Sequence, residues 1–106
     1  MDNKLVIAIA EFIGTFILLS AILLTGNPIY IAAAFLAAIT LAGNFSGGHI
    51  NPAVSLTMWL NKSIQGSDLV YYILPQILGA VCAFYLWKNV IPSIKMGNPG
   101  IISPLK

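Results

Sequence analysis

The chain has 106 residues, 58% of them hydrophobic and 8% charged, with a formal net charge of +2. Soluble domains carry about a quarter charged residues, so this composition excludes an ordinary water-soluble fold and points to lipid. The acids are Asp2, Glu11 and Asp68 and the bases Lys4, Lys62, Lys88, Lys95 and Lys106, a scatter with no basic patch for nucleic acid.

A membrane-spanning helix needs about 20 mostly apolar residues. The first candidate is 5–24. It is longer than the apolar region of a cleaved leader, about 7–15 residues, and Glu11 interrupts it, so it reads as a span. A carboxylate at mid-membrane costs on the order of 2.5–3.5 kcal/mol on insertion scales. Glu11 therefore either finds buried donors or snorkels to the interface.

Thr25-Gly26-Asn27-Pro28 reads as a turn. Residues 29–45 form the second span, short but serviceable with tilt or with Tyr30 at the interface. Within it Ala34, Ala38 and Ala42 recur at i, i+4 and i+8, and Ala33, Ala37 and Gly43 widen the stripe. Small residues at this spacing let membrane helices approach closely, and Gly14 and Gly79 suit the same role in the other spans.

Ser46-Gly47-Gly48-His49-Ile50 reads as loop. Asn51 has the chemistry of an N-cap and Pro52 suits the first helical position. The apolar helix that follows, 52–60, is about 14 Å long, half of a hydrocarbon core of about 30 Å. It either lies on the membrane surface or re-enters among the other helices. A surface helix shows a polar face, but Ser55 and Thr57 lie about 200° apart and make none, which favours re-entry.

The third span is 69–91, with Pro75 expected to bend it, Trp87 and Lys88 suited to an interface and Pro92 closing it. Tyr71, Tyr72, Trp59 and Trp87 are interface anchors or packed residues. Cys82 reads as buried packing, and a single cysteine allows no internal disulfide. The tail, 92–106, is rich in proline and glycine and reads as irregular.

A half-helix that stops at mid-membrane turns its N-terminal N–H groups, and roughly half a positive charge, toward the bilayer centre. Asn51 adds two donors and an acceptor there. Together they offer hydrogen bonds to a passing polar solute and repel cations and protons; a plain capping role for Asn51 is compatible with this. The N–H groups of the 46–50 loop are the natural donors to Glu11, with Gln76 as a second brace and His49 holding the loop. His49 is the only histidine and has no second ligand at metal spacing, so neither a metal nor another cofactor is expected. No poised acid, base or nucleophile shares a pocket, so no enzyme is expected either.

Ser46-Gly-Gly-His-Ile-Asn-Pro-Ala-Val54 resembles the first signature of the major intrinsic proteins, the aquaporin and aquaglyceroporin family. Ala10-Glu11-Phe12-Ile13-Gly14-Thr15 resembles the family's first-helix motif, and Gln76-Ile77-Leu78-Gly79-Ala80 its third-helix motif. The resemblance covers about 5–90. It implies an all-α, multi-pass integral membrane protein with three transmembrane helices and one re-entrant half-helix, a single half-aquaporin-like repeat over 1–106. Asn51, Pro52 and Ala53 correspond to the family's pore motif. Family members pair two such halves as inverted repeats. The second Asn-Pro-Ala, and the arginine that follows it, have no counterpart here, and position 54 is Val.

A single half does not enclose the family's pore. Three readings follow: two copies pair antiparallel, the chain docks on a complementary half or a longer channel as a structural or regulatory subunit, or it is a truncated, non-conducting piece. In the first, the resemblance places Ile31 at the second-span filter position, with Ile39, Gly48 and Val54 of the opposing copy completing an aliphatic filter. Water and small uncharged solutes such as glycerol are the expected cargo, and the lipid bilayer the surrounding partner.

The family's topology puts Lys4 and Lys62 on the cytoplasmic side and Lys88, Lys95 and Lys106 near or on the other. That is almost no positive-inside bias. Insertion in both orientations is expected, and reporter fusions to the C-terminus measure it; a single orientation for all molecules removes the antiparallel pair.

Overall fold

The computed structural model describes residues 3–91. The expected irregular tail and the charges Asp2, Lys95 and Lys106 lie outside the described residues. Four helices follow in chain order: α1 (Asn3–Thr25), α2 (Pro28–Ser46), α3 (Pro52–Leu60) and α4 (Leu69–Val90), the last led in by a single 3-10 turn, Gly66–Asp68. Three helical segments, Asn3–Thr25, Pro28–Ser46 and Gly66–Val90, are long and apolar enough to cross a membrane. α4 continues unbroken through Pro75, which is buried.

The α1–α2 turn is tight because each residue in it has a specific task. Gly26 takes the left-handed conformation (φ 57°) and donates its N–H to Ile22. Asn27 caps α2 by accepting from the N–H groups of Ile29 and Tyr30, and Pro28 opens the helix. This returns α2 antiparallel along α1.

α1 packs against both α2 and α4. The pairs Lys4–Tyr71, Glu11–Gln76 and Ser20–Trp87 advance along both helices together, so α1 and α4 run parallel. Close approach depends on two glycines. A Cβ on Gly79 would lie 2.7 Å from the Phe12 carbonyl oxygen, and one on Gly14 would lie 2.7 Å from Ile50 Cδ1. On α2, Ala38, Ala42 and Ser46 are buried. Ala33, Ala37 and Gly43 do not widen that stripe as the sequence suggested: all three are exposed, on the side of α2 turned from α1. Cys82 also departs from expectation and is exposed on α4.

α2 ends beside Glu11, which is eight residues into α1 and therefore about 12 Å from its start. Ser46, read from the sequence as loop, is the last residue of α2. After the loop, α3 runs back over a similar length to the level where α4 begins. Asn51 caps it, accepting from the Ala53 N–H at 2.8 Å, with Pro52 in the first position. Its other end closes with Ser63 donating to Met58 and Lys62 to Trp59, a Schellman pattern that holds Lys62 at φ 64°. α3 therefore turns back at the depth of Glu11 rather than crossing.

Gly79→Ala forces a methyl against backbone and is expected to destabilise the α1–α4 contact by about 1–3 kcal/mol. Gly43→Ala meets open space, and its better helix propensity gives no loss, with a gain of up to about 1 kcal/mol. Thermal unfolding of the two variants in detergent checks the contrast.

Candidate functional site

The site is built around one carboxylate. Glu11 is fully buried in α1 and accepts four hydrogen bonds, two per oxygen. Oε2 takes the Ser46 hydroxyl at 2.6 Å and the His49 N–H at 3.0 Å. Oε1 takes the Ile50 N–H at 2.7 Å and Gln76 Nε2 at 2.8 Å. All four partners donate, which suits the ionised form, an acceptor only. The donors come from α2, the loop and α4, so one side chain of α1 ties three other parts of the chain together.

A second tier braces the first. Gln76 Nε2 also donates to Ser55 Oγ at 3.0 Å, and Ser55 Oγ lies 2.8 Å from His49 Nδ1. The carboxylate fixes which way the Gln76 amide faces, because a flip would set its oxygen against Glu11. Ser55 Oγ accepts from Gln76, and its second contact, with His49 Nδ1, is a hydrogen bond whose direction follows the His49 tautomer. The His49 ring stacks on Tyr72 at 4.0 Å, and the Tyr72 hydroxyl donates to the Ser46 carbonyl at 2.7 Å. Two buried oxygens, Thr15 Oγ1 and Gln76 Oε1, have no partner among the described residues.

The loop backbone is unusual. Gly47, Gly48 and Ile50 have φ of 89°, 66° and 58°. Glycine tolerates this region; for a β-branched residue such as Ile50 it is an outlier. The strain is held by the Glu11 hydrogen bond and by packing, since Ile50 is only 3% exposed. The N–H groups of Gly48, His49 and Ile50 are directed to Ser46 Oγ and Glu11. No peptide bond among the described residues is cis, and in a planar trans peptide N–H and C=O point opposite ways. The carbonyls of Gly48 and His49 therefore face away from Glu11 and that of Gly47 away from Ser46 Oγ, and no hydrogen bond among the described residues uses them. Beside them, Asn51 is exposed, with its oxygen committed to the helix cap and its amide nitrogen unpartnered among the described residues.

Glu11, His49 and Gln76 thus meet in one network, adjoining Asn51, Pro52 and Ala53 at the start of α3. Gly48 lies against Ile39: a Cβ there would be 3.0 Å from the Ile39 carbonyl oxygen. Ile31 stands apart, about 22 Å along α2 from Ser46 by helical rise. Val54 is half-buried in the first turn of α3. Sequence reasoning did not find Ser55 or Tyr72 as members of the network. The available signal for Ser55 was a hydroxyl on an apolar helix, which needs a partner if buried; Tyr72 lies one helical turn before Gln76 on α4.

The sequence model of the major intrinsic proteins matches residues 3–104. The chain belongs to the major intrinsic protein family. Among its relatives in that family, the glycerol uptake facilitator protein-like 6 of Lactiplantibacillus plantarum is 37% identical over 81% of this chain and 44% of its own length. Aquaglyceroporin-2 of Rhizophagus irregularis is 38% identical over 80% of this chain and 32% of its own. Aquaporin AqpM of Methanothermobacter marburgensis is 33% identical over 91% of this chain and 52% of its own. The chain thus spans about half or less of the length of these relatives. Like other members of the major intrinsic protein family, it is a multi-pass integral membrane protein.

Removing the carboxylate strands the loop donors, each unpaired buried group costing about 1–3 kcal/mol. Glu11→Gln keeps one acceptor oxygen but turns an NH₂ toward other donors; Glu11→Ala keeps none. Melting temperature is expected to fall in both, further in Glu11→Ala. An unchanged melt in Glu11→Ala shows that the loop does not depend on it.

Proposed function

We propose that the chain is one half of a membrane channel for water and small uncharged solutes such as glycerol, completed by a second half. The observation that carries this reading is the loop at Glu11 depth: its N–H groups are satisfied inside the protein and its carbonyls are left free. A solute leaving water at that depth needs replacement hydrogen bonds. The carbonyls of Gly47, Gly48 and His49 supply acceptors. The Asn51 amide and the Val54 N–H, which the cap leaves unpaired, supply donors. The positive end of the α3 dipole at the same point disfavours cations, protons included. Two of the relatives are named for glycerol and a third as an aquaporin, which supports both cargoes.

In this reading Asn51, Pro52 and Ala53 line the path at its midpoint, and Glu11, His49 and Gln76 hold the loop that bears the acceptors. A second copy inserted in the opposite orientation supplies the missing wall, since inverted repeats meet at the midplane in such folds. A separate complementary half would do the same. Ile31, with Ile39, Gly48 and Val54 from the opposing half, then forms an aliphatic constriction. Such a constriction takes hydrogen bonds from water and less from a solute with apolar surface, so it admits glycerol alongside water.

The test is stopped-flow light scattering of proteoliposomes that contain only this chain. Glycerol and water should both pass, and Val54→Arg should suppress glycerol first. Vesicles as tight as protein-free ones would remove the self-paired channel, and brisk water flux with glycerol excluded would remove the aliphatic filter.

A further inference from the structure

The notch at Gly14 has no part in the hydrogen-bond network, yet it receives the most strained residue of the loop. Ile50 is β-branched, holds φ at 58° and is 3% exposed. A Cβ on Gly14 would lie 2.7 Å from Ile50 Cδ1, 3.1 Å from Ile50 Cγ1 and 3.7 Å from Ala42 Cβ. Ile50 is thus a knob seated in a notch formed by the missing side chain of Gly14 and floored by Ala42. Its N–H meets Glu11 one helical turn away on the same helix, at 2.7 Å.

We propose that the Ile50–Gly14 contact is a positioning device: it sets how far the loop stands from α1 and, through that distance, the size of solute admitted. This rests on the conduction reading given above. Glu11 pulls the loop toward α1, and the depth of the notch decides where the pull stops. The carbonyls of Gly48 and His49 face away from Glu11, so moving the loop off α1 advances them into the space they face. Gly48 also stands close to α2, where a Cβ on it would lie 3.0 Å from the Ile39 carbonyl oxygen, so the loop has little room to absorb the push by moving toward that backbone. The size of the side chain at position 14, added to that at position 50, therefore tunes the aperture. A methyl at position 14 narrows it. Trimming Ile50 by one carbon reopens it, because the Cδ1 atom that meets the new methyl is the atom removed in valine.

The experiment uses four versions of the chain: wild type, Gly14→Ala, Ile50→Val and the double variant. Glycerol and water permeabilities are measured in proteoliposomes, and the backbone amide resonances of His49 and Ile50 in detergent. In Gly14→Ala the ratio of glycerol to water permeability is expected to fall about tenfold, the effect of about 1.4 kcal/mol on a barrier. The two amide resonances should move as their bonds to Glu11 lengthen. In the double variant both the ratio and the resonances should return toward wild type. Conduction by wild type with a ratio that Gly14→Ala leaves untouched overturns the inference and spares the channel. A lowered ratio that Ile50→Val fails to restore also overturns it, because the effect then comes from general damage to α1. If Gly14→Ala does not fold, Ile50→Val alone decides: a wider aperture raises the ratio, and an unchanged ratio overturns the inference. A wild type that conducts nothing removes the reading on which the inference stands, and the inference with it.

Discussion

A carboxylate inside a membrane span has to be neutralised, paired or surrounded by donors. Glu11 is surrounded, and most of the chain's architecture follows from that. Its four donors include no cation, so the solution is made of neutral groups: a hydroxyl, two peptide N–H groups and an amide. To deliver two peptide N–H groups to one side chain, the backbone must leave the helical and extended regions. The loop does so at Gly47, Gly48 and Ile50. The irregular backbone and the buried acid each remove the other's cost. Neither is tolerable alone at that depth.

This mutual satisfaction also separates two populations of polar groups. The N–H side of the loop faces inward and is saturated; the C=O side faces outward and is not. A helix or strand uses both sides of its peptides and leaves nothing over. Here one acid replaces the usual peptide partner, and a row of acceptors is left over as a result. Ser55, His49, Tyr72 and Gln76 then stiffen the arrangement from the α3 and α4 sides. The acceptors are therefore held in fixed positions.

Much of this was legible in the sequence, for reasons that differ by element. The spans declare themselves by length and apolarity. α3 could be delimited because Asn51-Pro52 is a strong start signal and nine residues are too few to cross. Glu11 was conspicuous as an acid in an apolar run. What the sequence hid was which face of α2 is buried: Ala33, Ala37 and Gly43 are as small as Ala38 and Ala42, but helical phase turns them away from α1. Cys82 was misread because an apolar neighbourhood in a membrane protein marks the lipid-facing side as readily as the core. Ser55 and Tyr72 were not placed in the network because a hydroxyl signals only that a buried partner is needed, and which partner, here Gln76, His49 or the Ser46 carbonyl, is settled by the fold.

The separations along the chain between Glu11 and its donors, 35, 38, 39 and 65 residues, have a consequence for biogenesis. The acid is made first and its partners last. At about 5–20 residues per second of synthesis, the Ser46–Ile50 donors follow it by seconds, and Gln76 by several seconds more. During that interval α1 is a hydrophobic segment whose acid lacks these donors. The order of synthesis thus makes Gln76 the closing clasp, the last of the four donors to reach the carboxylate.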